Sequence, residues 1–212
     1  MSNRPRFHRP AMLSFEDAEK IEGDSDPAAA ALVAMTSARA LLGLADDEFG
    51  DNAVQKLVAA IQEEGVDIVS DLWERSPAFT LPGALWRLYL LNEWYQRDSI
   101  KVHERFVEGL NAPFTAGVDD AKPRPETPDD AEFFERLNEL MTGAGCADLS
   151  KLLRDAAVVM RILASGATFG TTWIRTYKDR LANMVTRRAR ALIETAKELD
   201  EAAIRSENGR LI

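Results

Sequence analysis

Apolar positions recur in steps of three and four along nearly the whole chain, which is the period of a helix and not of a strand. Polar caps and glycines punctuate the pattern. Ser14 followed by Asp17 opens a short helix that Gly23 closes. Asp26-Pro27 places a cap before a proline at the first helical position, and an alanine-rich helix follows to about Leu44. Residues 52–64 carry Val54, Leu57, Val58 and Ile61 on one face and stop at Gly65. A further short helix over 66–74 ends before Pro77.

Thr80-Leu81-Pro82 opens the most apolar helix, 83–97. Leu85, Trp86, Leu88, Tyr89, Leu90, Leu91, Trp94 and Tyr95 point in almost every direction around its axis. Such a helix is expected at the centre of the fold, buried all round. Asp98-Ser99 restarts a helix that runs to Leu110. Residues 111–127 hold Pro113, Pro123 and Pro125, and read as a linker with little to bury. Thr127-Pro128-Asp129-Asp130 is a helix start, with Phe133, Phe134, Leu137, Leu140 and Met141 as the core face behind it.

No proline occurs from Leu149 to Ala203. One helix through that stretch would be about 80 Å long, too long for a compact domain of this size. Ser165-Gly166 and the threonines after it predict a break near 165–171, which leaves two helices. The alternative is a long helix forming a dimer seam. The expected architecture is therefore all-α: a multi-helix bundle of about nine or ten helices with a central buried helix and a Pro-rich linker. It divides into a flexible basic arm (1–10), an N-terminal bundle (11–110), the linker (111–127) and C-terminal helices packing on the first set (128–212).

Composition narrows the function more than the fold. The chain has 212 residues, a net charge of -9, one cysteine and two histidines. A single cysteine excludes a disulfide framework and any multi-cysteine metal site within one chain. No E-x-x-H pair appears, which argues against a di-iron bundle. Neither a metal nor an organic cofactor is expected. No apolar run reaches the roughly 18–20 residues that span a bilayer, and no export signal is legible, so a cytoplasmic protein is expected. Arginine exceeds lysine by 19 to 7 and alanine numbers 31, as in a GC-rich bacterial genome.

Charge is unevenly spread. Residues 11–150 hold 28 acidic and 11 basic side chains, whereas residues 151–190 hold 2 and 9. Arg175, Lys178, Arg180, Arg187, Arg188 and Arg190 form the only segment that points at a polyanion. They also fit the solvated side of a docked helix, because Trp173, Ile174, Tyr177, Leu181, Met184, Val185 and Leu192 make one apolar stripe. Arg188 falls inside that stripe and is expected to meet a carboxylate.

Candidate chemistry is thin, and each feature has a plainer reading beside it. His103, grouped on its wheel with Phe106, Val107 and Leu110, is expected to face the core, either packed or as a ligand. Cys146, after Gly143-Ala144-Gly145, is a reactive thiol at a helix junction or a small residue in a turn. The turn 166–172 is a backbone phosphate cradle or a place where two helices approach closely. Arg87 and Asn92 sit among aromatics on the central helix, and with Trp94 and His103 they outline a small-molecule site or a core network. With no catalytic constellation, the expectation is a non-enzymatic module that binds a protein partner or a second copy along its C-terminal helices. A nucleic-acid-associated protein and a small-molecule-binding bundle are the alternatives, and no membrane partner is expected.

Overall fold

A computed structural model describes residues 27–44, 50–119, 125–169 and 189–211. Seven helices are present among these residues, and no strand. They are α1 (Pro27–Leu41), α2 (Gly50–Glu64), α3 (Asp67–Glu74), α4 (Leu81–Leu110), α5 (Asp130–Met141), α6 (Leu149–Phe169) and α7 (Ala189–Glu207). The architecture is therefore all-α, as expected, while nine or ten helices is more than the seven seen among the described residues. The predicted helix at 14–23 lies outside the described residues, and the two predicted helices at 83–97 and 99–110 are joined as α4.

That joint is visible in the backbone. Asp98 leaves helical geometry inside α4 (φ -154°, ψ 56°) and its carboxylate accepts the Lys101 N–H, so it caps the second half where a restart is expected. Thr80 caps the first half: its hydroxyl oxygen accepts from the Gly83 N–H, and Pro82 occupies the first turn, where no partner for its missing N–H is needed. Asp129, not Thr127, caps α5, accepting from the Glu132 N–H. Asp148 caps α6 through the Lys151 N–H. At the end of α2, Gly65 takes φ +87°, a left-handed stop that only glycine makes cheaply.

One hydrophobic core joins residues of every helix. Leu81, Leu85, Leu88 and Leu91 of α4 are fully buried in it, as are Phe133, Phe134, Leu137 and Leu140 of α5. Tyr95 stacks on Phe134 at 3.8 Å between centroids, and Phe133 meets Phe134 edge-on. The central helix is not buried all round, however. Trp86, Leu90 and Trp94 are only half-buried, because Arg87, Glu93 and Arg97 share that side and keep it near water. Among the described residues the fully buried tryptophan is Trp73 of α3, whose indole N–H donates to Ser37 Oγ at 3.0 Å.

Helices α6 and α7 pack against each other in opposite directions. Arg161 meets Asp200 near the middle of both helices, and Arg154 meets Glu207 at the end of α7. This excludes a single helix through 149–203. Helix α6 continues through Ser165 and Gly166 to Phe169, and the rest of the predicted break, 170–171, lies outside the described residues. The seam expected between two copies is covered inside the chain where it can be seen: Leu153, Ala156, Met160, Leu163, Leu192, Ala196, Leu199 and Ala203 are all buried. The linker also differs from expectation. Ala112 and Ala116 are buried, the Ala116 N–H donates to Ser165 Oγ at 2.8 Å, and Gly117 lies against Ile193. Small residues let this loop settle onto α6 and α7 despite Pro113.

Helices α4 and α6 approach each other very closely. A Cβ built on Gly109 would lie 2.0 Å from the Ile162 carbonyl oxygen, and one on Gly166 would lie 2.2 Å from the Arg105 carbonyl oxygen. Both obstacles are backbone, so only glycine fits at either position.

Candidate functional site

The second half of α4 carries two apolar faces. Val102, Phe106 and Gly109 turn inward against α6, with Arg105 beside them. Arg105 is buried, yet its Nη1 donates to Glu108 and to the Gly166 carbonyl, each at 2.7 Å. Burial pulls its guanidinium below the ordinary value, and Glu108 acts in the opposite direction.

The other face points to solvent. Ile100 is 73% exposed, Val107 39% and Leu110 41%, and His103 lies between them at helical spacing. His103 does not face the core. Its wheel neighbours are as expected apart from Phe106, but that face is the outer one, because α6 occupies the other. The imidazole Nδ1 lies 2.6 Å from Asp130 Oδ2 at the start of α5, with the histidine side chain 60% exposed and the aspartate 14%. This contact sets the N-terminus of α5, with its exposed Asp129 and Glu132, beside the stripe. Glu104 is exposed one residue further along α4. Lys101 is already held by Asp98 at 2.7 Å. The result is an aliphatic stripe about 15 Å long, with an acidic rim on both sides.

The residues grouped as a small-molecule site go to different neighbours. Arg87 reaches α7, with Nε 2.6 Å from Glu198, and also donates to the Gly83 carbonyl. Asn92 is buried in the core, where its Oδ1 meets no donor among the described residues. Trp94 packs half-buried against the core, and His103 belongs to the outer face. Tyr89 donates its hydroxyl to Asp67 at 2.7 Å, and burial, then that bond, raise its pKa far above the ordinary value.

Of the basic segment, Arg175, Lys178, Arg180, Arg187 and Arg188 lie outside the described residues, and so does the ion pair expected of Arg188. Arg190 is exposed and pairs with Glu194 one turn along α7. Buried arginines do occur, at positions the sequence reading passed over. Arg161 donates to Asp200 at 2.5 Å and to the Ala157 carbonyl. Its signal is present in the sequence: it sits among Ala157, Ala164 and Ser165, inside the apolar side of α6.

Cys146 is half-buried, and burial pushes its thiol up, away from the reactive thiolate. Gly166 lies within α6, where its small size is used in the approach to α4, so it does not open a phosphate cradle. Among the described residues no three His, Cys, Asp or Glu side chains are arranged to hold a metal ion, and no helix is long and apolar enough to cross a membrane. No family model matches the chain, and neither a curated protein nor a solved structure shows detectable similarity to it.

Proposed function

We propose that the chain is a non-enzymatic helical module that works by binding another protein. The observation that carries this reading is the aliphatic stripe on α4, with Ile100 almost three-quarters in water. Large exposed aliphatic groups in a row, rimmed by charge, are the usual mark of an interaction surface. Smaller apolar groups stand out elsewhere: Leu32 and Val33 on α1, and Ile68 and Leu72 on α3. None of them belongs to the fully buried core.

Photo-crosslinking in the cell tests the reading. A benzoylphenylalanine is placed in turn at Ile100, Val33 and Leu72, and at the exposed polar controls Lys56 and Glu139. The expected result is a discrete adduct of one mass from at least one apolar position and none from the controls. Adducts from none of the three apolar positions would contradict it.

A further inference from the structure

We infer that the outer face of the second half of α4 is a docking site for one amphipathic helix of a partner protein, whose flanks carry lysine or arginine. This rests on the interaction reading above and names its surface and the chemistry of its partner.

Three observations lead there. Ile100, His103, Val107 and Leu110 stand at i, i+3, i+7 and i+10, the ridge that a second helix packs along. The ridge is about 15 Å long, which matches roughly three turns of a partner helix. The rim then selects the partner's charge. Glu104 stands on one side, and Asp129 and Glu132 at the start of α5 on the other, Glu132 well exposed and only loosely met by Arg136 at 3.9 Å, while Lys101 is matched by Asp98 and buried Arg105 by Glu108. Among the described residues the rim that faces an incoming helix is thus negative, and Lys or Arg beside an apolar seam complements it.

The same rim disfavours a second copy of this chain. A two-fold axis that sets Ile100 opposite Leu110 and His103 opposite Val107 passes near residue 105. Glu104 of one copy then falls beside Glu104 of the other, and like charges meet at the centre of the seam.

The test uses the full chain and two labelled 16-residue synthetic helical peptides. Both carry leucine on a three–four repeat; one has lysine at the flanking positions and the other glutamate. Fluorescence anisotropy is expected to show the lysine peptide binding at least about tenfold more tightly, with affinity falling as salt rises from about 50 to about 300 mM. I100E/V107E is expected to lose about tenfold or more, with circular dichroism unchanged. E104K/E132K should reverse the preference between the peptides, and L32E/V33E on α1 should leave binding as it is. Equal binding of the two peptides, or full binding by I100E/V107E, overturns the proposal. So does a sedimentation change from dimer to monomer in I100E/V107E, which would make the stripe a self-interface. If crosslinks form at Val33 or Leu72 while neither peptide binds, the interaction reading stands and this assignment of its surface falls.

Discussion

The two faces of α4 beyond Asp98 are built from similar residues and put to opposite uses. Inward, Val102, Phe106 and Gly109 close on α6 so tightly that a single methyl group at Gly109 or Gly166 would collide with backbone. Outward, Ile100, Val107 and Leu110 remain in water. The inner face is fixed by what it lacks, two side chains, and by a buried arginine bound to a carbonyl across the seam. The outer face carries side chains that stay outside the core, Ile100 mostly in water and Val107 and Leu110 in part. Side-chain chemistry alone does not separate structural from functional surface on this helix; the position of α6 does.

The sharpest way to break the contrast is to burden the inner face. Gly109→Ala and Gly166→Ala each force α4 and α6 apart and should destabilise by about 3 kcal/mol, the upper part of the overpacking range, measured by urea unfolding. Val102→Glu, which drives a carboxylate into the apolar α4–α6 contact, should cost at least as much. Next comes Asp200→Ala at the α6–α7 contact. A fully buried pair would lose about 3–5 kcal/mol, but Asp200 is partly exposed and water can reach the freed guanidinium, so about 2 kcal/mol is expected.

A smaller effect is set by pH at the start of α6. Asp148 is held below the usual carboxylate range, first by the Lys151 N–H and then by the Ser150 hydroxyl. A carboxyl depressed in the folded state contributes stability above its unfolded pKa, and that contribution is lost as pH falls through the folded value. Asp148→Ala should therefore cost about 1 kcal/mol at neutral pH and progressively less in acid, read as the gap between two urea midpoints across a pH series.

Much of the fold was legible because punctuation and period agree. The Asp98-Ser99 restart, the core face of α5 from Phe133 to Met141 and the glycine stop at Gly65 all follow from local rules. What was not legible depends on neighbours. A wheel groups His103 with Val107 and Leu110 correctly, but it does not say which of two apolar faces another helix will cover. Trp86 and Trp94 drew attention to the middle of α4, while Trp73, on a helix of eight residues, is the one fully enclosed among the described tryptophans. Arg105 and Arg161 were passed over for the opposite reason: a charged residue on an apolar side reads as surface until the carbonyl or carboxylate that receives it is known. The candidate site was half visible, since His103, Val107 and Leu110 were grouped, but neither Ile100 nor the exposure of that face was foreseen.

The most direct test is the urea unfolding of I100E/V107E beside the unaltered chain. With the outer face of α4 open to water, the two stabilities should agree within about 0.5 kcal/mol. A loss of several kcal/mol would mean that this face is covered in solution, and the division of α4 into a structural side and a free side would be wrong.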